Sequence, residues 1–282
     1  MLCVLKKQKH QNKNIVIFVT KKINNCILIF DSGIGGLVVL QKTRLLMPDY
    51  NFIYVADDIG FPYGNWEDRA LKKRLMFIFS DILDKYRPVL SIVACNTAFT
   101  LIKDELRSTF PSMTFLGAVP DIKKAVEVTQ SGLVSILSTP ATLRRAYTGH
   151  LIDTYASKCQ INLVSSTTLA SKIEGYACGE NIKDDEIKRE IEKCFVEKEG
   201  KKTDVIVLAC THYPLITHVF RRVSPWLVEW VDNSDSIALR ARTILPKIND
   251  RHIELSEDHV FFLSEKRDMS MRSLMQEFGL KY

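Results

Sequence analysis

The chain has 282 residues, of which 46% are hydrophobic and 26% charged, ordinary proportions for a globular protein. Its 12 glycines and 9 prolines exclude a collagen-like or low-complexity chain, and no apolar run approaches the ~20 residues of a membrane span. The formal net charge is +6, yet residues 1–25 hold six lysines and no acid, while the rest carries 33 bases and 33 acids. The excess belongs to a short leader. The neutral body excludes a polyanion-binding surface as its main property.

Residues 1–25 read as a basic extension, either disordered or an edge strand. The apolar run Ile15–Val19 is shorter than the about 7–15 residues of a secretory signal core, and lysines follow it instead of a small-residue cleavage site. The seven cysteines are widely spaced and contain no CxxC pair, which argues for a reduced, cytoplasmic chain with no metal site.

After the leader, short apolar runs alternate with amphipathic stretches. Strands are expected at Cys26–Phe30, Asn51–Ala56, Val89–Ala94, Met113–Ala118, Leu133–Leu137, Val205–Ala209 and Leu227–Val231. Helices are expected at Gly36–Leu46, Glu67–Tyr86, Ala98–Ser108, Asp121–Thr129, Pro140–Ala156 and Asp184–Glu199. The pattern is that of an α/β protein with mainly parallel sheets covered on both faces. Two internal echoes point to related halves: LSIVACNT at 90–97 with VIVLACTH at 205–212, and IFDSG at 29–33 with WVDNS at 230–234.

Ligands of open α/β sheets bind beyond the carboxyl ends of the strands. Cys95 and Cys210 both stand there, followed by Asn96 and Thr97, and by Thr211 and His212. A cysteine is commonly a small buried hydrophobe. These two lead instead into polar clusters at expected helix starts, where the N-terminus favours thiolate over thiol. Asp31-Ser32-Gly33-Ile34-Gly35-Gly36 follows the first strand; it lacks a P-loop lysine and the GxGxxG register, leaving a carboxylate-binding turn or a plain helix cap. Phe61-Pro62-Tyr63-Gly64 is a turn that can wall a strand-end pocket.

FDSGIGGL at 30–37, YVADDIGFPYG at 54–64, ACNTA at 94–98 and ACTHYPL at 209–215 together resemble the glutamate racemases, in the family's order and spacing. The resemblance runs from about Cys26 to the C-terminus. It implies a cofactor-independent isomerase made of two pseudo-symmetric α/β domains with the active site in the cleft between them. The domains would be 26–119 with 229–282, and 120–228. It further implies a cytoplasmic homodimer that interconverts L- and D-glutamate for peptidoglycan, with no metal, nucleic-acid or membrane partner.

Residue by residue, the resemblance makes Cys95 and Cys210 the two acid/base thiols, Asp31 the acid paired with the first and His212 the group paired with the second. Ser32, Tyr63, Gly64, Asn96, Thr97 and Thr211 match substrate-holding positions, joined there by Asp31 and His212. Glu174, within SSTTLASKIEGYACGE at 165–180, matches a further Glu assisting the second thiol; a solvated helix residue is the other reading. Asn233 stands where the family usually has a serine and bears on domain packing. Two thiols suit the chemistry, because inverting a stereocentre requires a base on one face and an acid on the other. Two other functions compete: the same fold acting on aspartate or another small acid, and an interaction protein using the basic arm.

Overall fold

The computed structural model describes residues 25–246, 258–264 and 269–280. The leader's structure therefore lies outside the described residues, apart from Asn25. The strands are β1 (Cys26–Asp31), β2 (Asn51–Ala56), β3 (Leu90–Val93), β4 (Phe115–Gly117), β5 (Leu133–Ser138), β6 (Gln160–Ser165), β7 (Glu197–Lys198), β8 (Lys201–Lys202), β9 (Val205–Ala209), β10 (Glu229–Val231) and β11 (His259–Phe262). The helices are α1 (Leu37–Leu46), α2 (Asp68–Tyr86), α3 (Asn96–Thr109), α4 (Ile122–Val128), α5 (Pro140–Leu143), α6 (Ala146–Tyr155), α7 (Leu169–Ala177), α8 (Asp184–Ile191), α9 (Thr217–Val223), α10 (Ser234–Ile244) and α11 (Met269–Glu277). Among the described residues no helix is long and apolar enough to cross a membrane.

Two parallel sheets organise the chain. The first has the order β11-β2-β1-β3-β4 and the second β10-β9-β5-β6. Helices cover both faces of the central strands, which are therefore apolar on both sides. In β1, Leu28 and Phe30 pack under α2 and α3, while Ile27 and Ile29 face α1, α10 and α11. In β9, Ile206 and Leu208 meet α7, α8 and α9, while Val205 and Val207 meet α4 and α6. Each such fully buried aliphatic side chain contributes about 1.5–3 kcal/mol.

Read from its other edge, the second sheet runs β6-β5-β9-β10, the same plan as β2-β1-β3-β4. The plan pairs β3 with β9, so the echo of LSIVACNT and VIVLACTH has a structural counterpart. The echo of IFDSG and WVDNS does not: the partner of β1 is β5, and β10 corresponds to β4. An aspartate after an apolar strand is too common a pattern to mark equivalent positions. Strand β10 also pairs with β9, which places residues 229–231 in the second sheet, past the expected crossing at 228. In each sheet the chain leaves the first strand for one side and returns for the third on the other. This creates a switch point between β1 and β3, and another between β5 and β9, where strand ends open a crevice.

Local signals explain most boundaries. Helix α2 starts because Glu67 accepts hydrogen bonds from Arg69 N and Ala70 N at 3.0 and 2.8 Å, and stops at Arg87, whose φ of 45° is left-handed. The helix expected over Pro140–Ala156 is interrupted where Arg145 turns extended and pairs with Asp68. The helix expected over Asp184–Glu199 ends at Ile191. The chain then forms the β7–β8 hairpin, closed by Glu199 and Gly200 at φ of 52° and 73°.

Candidate active site

Cys95 and Cys210 lie just beyond the ends of β3 and β9, the equivalent strands of the two sheets, with 6% and 8% exposure. Around Cys95, the carboxylate of Asp31 at the end of β1 is fully buried. It accepts hydrogen bonds from Gly33 N at 3.0 Å, Ser32 Oγ at 3.3 Å and Thr211 Oγ1 at 2.9 Å. The Ser32 hydroxyl also lies 3.7 Å from Cys95 Sγ and so bridges acid and thiol. Burial pushes the Asp31 carboxyl above the usual carboxylate range; the His212 charge and the hydrogen bonds from Gly33 and Thr211 oppose this only in part.

Cys95 occupies the N-cap position of α3, the helix start expected for it. The helix does not decide its ionisation. Burial and the nearby Asp31 charge raise the Cys95 pKa far above that of a free thiol, and the hydrogen bonds from Ala98 N–H and Ser32 only partly offset them. The expected lowering at this helix N-terminus is therefore reversed for Cys95, because burial and the Asp31 charge disfavour the thiolate more than the helix start favours it.

Around Cys210 the groups differ. His212 Nδ1 lies 4.0 Å from Cys210 Sγ, and His212 Nε2 lies 2.6 Å from Glu174 Oε2. Burial alone would lower the pKa of His212, but hydrogen bonds to Cys210 and Glu174 and the Glu174 charge raise it well above that of an ordinary histidine. Glu174 is a half-enclosed residue of α7 whose side chain is 16% exposed, not a solvated one. Its Oε2 also accepts from Ile34 N–H at 3.1 Å, tying α7 to the turn after β1. That approach needs glycine at 33, where a Cβ would fall 2.6 Å from Glu174 Oε2.

The remaining expected residues converge on the same crevice. Thr97 Oγ1 lies 3.0 and 3.1 Å from the hydroxyls of Thr139 and Thr142, across the gap between sheets. Gly64 packs against Thr139. Tyr63 is buried, and its hydroxyl donates to Asp57 Oδ2 at 2.6 Å, so it is held from behind rather than standing free. Asp57 also pairs with Arg74 of α2. Asn96 is buried with its Oδ1 accepting from Asn233 Nδ2 at 3.2 Å, and its own Nδ2 has no partner. Thr139, Thr142, Asp57 and Arg74 were not singled out from sequence. Thr139 follows β5 as Asp31 ends β1, a signal that only the strand pairing exposes. Among the described residues, no group of three His, Cys, Asp or Glu side chains could hold a metal ion.

No protein-family model matches the sequence. The chain is 53% identical over 263 residues to the glutamate racemase of Sinorhizobium medicae, covering 93% of this chain and 97% of that protein. It is 52% identical over 254 residues to that of Agrobacterium fabrum, covering 90% and 93%. Among solved structures it is similar to Escherichia coli glutamate racemase in complex with L-glutamate and the activator UDP-MurNAc-ala. That match has 31% identity and a TM-score of 0.80, over 92% of this chain and 96% of that one. The Francisella tularensis enzyme, at 21% identity and a TM-score of 0.73 over 92% and 97%, shares the fold. With half of its residues identical to these relatives over nine-tenths of its length, the chain belongs to the glutamate racemase family.

Proposed function

We propose that the chain interconverts L- and D-glutamate by direct proton transfer between Cα and two thiols, Cys95 and Cys210, supplying D-glutamate for peptidoglycan. The observation that carries this reading is the placement of the two thiols at equivalent strand ends, each with its own proton-handling neighbours. One sulfur, as thiolate, takes the Cα proton and leaves a planar carbanion. The other, as thiol, returns a proton to the opposite face. After one passage the sulfurs have exchanged states, and the reverse reaction starts from there.

The partners suit these tasks. Asp31, reached through Ser32, is a buried carboxyl that can hold the proton leaving Cys95. His212, kept protonated by Glu174, can give a proton to Cys210 and take it back. Asn96 offers an unpartnered donor for a carboxylate, and Ser32, the Tyr63–Gly64 turn, Thr97 and Thr211 line the crevice beside it. The L-glutamate in the Escherichia coli relative supports the choice of substrate. We propose that the described residues divide into two halves, 26–119 with 232–246, 258–264 and 269–280, and 120–231, each sheet with its helices. We propose a cytoplasmic homodimer, checked by light scattering of the purified chain.

Circular dichroism of D- or L-glutamate without added cofactor tests the reaction; a signal that stays constant in both directions would sink it. Cys95→Ser and Cys210→Ser should each reduce two-way racemisation at least about a thousandfold, the scale of losing a general acid–base group. Near wild-type turnover in either variant would refute the two-thiol scheme.

A further inference from the structure

Asn233 occupies the position just before α10, where an asparagine ordinarily accepts hydrogen bonds from the first amides of the helix. It does not do so. Asp232 Oδ1 accepts from Ser234 N–H at 2.8 Å instead, and the Asn233 side chain is turned inward, with 7% exposure. Its Nδ2 donates to the Val119 carbonyl at 2.8 Å and to Asn96 Oδ1 at 3.2 Å.

The direction of these bonds is forced. A backbone carbonyl can only accept, so Val119 dictates which end of the Asn233 amide is the donor. That donor also faces Asn96, so Asn96 must answer with its oxygen. The Asn96 NH2 is therefore turned elsewhere, and it is buried with no partner. Asn96 follows Cys95 directly, at the crevice end of the first sheet. A donor buried there without an acceptor is costly, and a ligand oxygen is what relieves it.

We infer that Asn233 is a positioning residue that acts through Asn96: it sets the polarity of the Asn96 amide so that the crevice offers a hydrogen-bond donor, suited to a substrate carboxylate, and not a carbonyl. The inference rests on the racemase reading above and extends it to a residue that does not touch the substrate. Asn233→Asp reverses the logic, since a carboxylate can only accept and turns the Asn96 amide around.

The test compares KM and kcat for both enantiomers of glutamate in the full chain and its variants. Asn233→Asp should raise KM about ten- to a hundredfold, the loss of one hydrogen bond to a charged group, with kcat within about threefold. Asn233→Ser, whose hydroxyl can serve only one of the two acceptors, should raise KM about three- to tenfold. In an Asn96→Ala background, Asn233→Asp should change KM by less than about twofold, because the residue through which it acts is gone. A merely structural role lowers the melting temperature and leaves KM in place. Folded Asn233→Asp or Asn233→Ser enzyme with wild-type KM overturns the inference, as does a KM rise undiminished in the Asn96→Ala background. If Asn233→Asp does not fold, Asn233→Ser decides. Absence of racemisation by the wild-type chain is a different result: it removes the reaction and this inference together.

Discussion

At the residue scale, the two thiols are alike in position and unlike in company. Cys95 faces a buried acid through a hydroxyl, whereas Cys210 faces a histidine whose charge depends on Glu174. Glu174→Gln keeps the shape and removes the charge, leaving Cys210 alone to oppose the depression of His212 by burial. The protonated form of His212 is present below its raised pKa and is lost as pH rises through it. The variant should therefore move the alkaline limb of kcat/KM toward neutral pH. It should also cost about 1–3 kcal/mol of stability, because the stranded imidazole can shed its proton instead of remaining an unpaired charge. A pH–rate profile with calorimetry at pH 6 and 9 checks both. An unmoved alkaline limb would show that Glu174 does not control His212.

At the element scale, the Pro62-Tyr63-Gly64 turn is anchored from behind. Asp57, directly after β2, accepts from Tyr63 and Gly60 N and pairs with Arg74, whose guanidinium lies 5.8 Å over the Trp66 ring. Arg74→Met strands a fully buried carboxylate and should cost about 3–5 kcal/mol while raising KM, because the turn loosens. Thermal melts and KM measurement test this; a variant with wild-type melting temperature and KM would show that the turn holds itself. The central strands and the strand-end placement of Asp31, Cys95 and Cys210 were legible because parallel strands buried on both faces are continuous apolar runs. Strand β6, QINLVS at 160–165, was not: it lies at a sheet edge with several exposed residues and carries no apolar run. The charged stretch after Ile191 reads as helix by composition, yet the left-handed pair Glu199–Gly200 closes a hairpin there. Asn233 and Arg74 act on the site through other residues at sequence separations of 137 and 17, contacts that no local pattern encodes.

At the scale of the molecule, each half completes the other. Thr211, beside Cys210 in the second half, donates to Asp31 of the first, and Thr97, beside Cys95, meets Thr139 at the end of β5. Gly35 lies at this seam. A Cβ there would fall 2.6 Å from His212 Nδ1 and Thr211 Oγ1, and 2.7 Å from the His212 backbone nitrogen. Because backbone cannot yield as a side chain can, Gly35→Ala should hold the halves apart. It should lower kcat at least about tenfold through misplacement of the reacting groups, with about 1–3 kcal/mol of destabilisation. Gly132→Ala is the control: φ is 74°, but nothing lies within 4 Å. It should cost about 1 kcal/mol through its backbone alone and leave kcat intact. Equal turnover in the two variants would show that the seam does not govern the reaction.

The burial that makes Cys95 hard to ionise has a consequence for life under oxidants. Peroxide attacks the thiolate, so a sulfur that rests protonated and enclosed is slow to begin the climb to sulfenic and sulfinic acid. Cys159, partly exposed, offers the oxidant an easier target. Under graded peroxide, mass spectrometry of the resting protein should find Cys159 modified before Cys95. On the proposed racemase reading, a sulfur held as thiol at rest leaves the idle chain chemically quiet and confines its vulnerability to turnover.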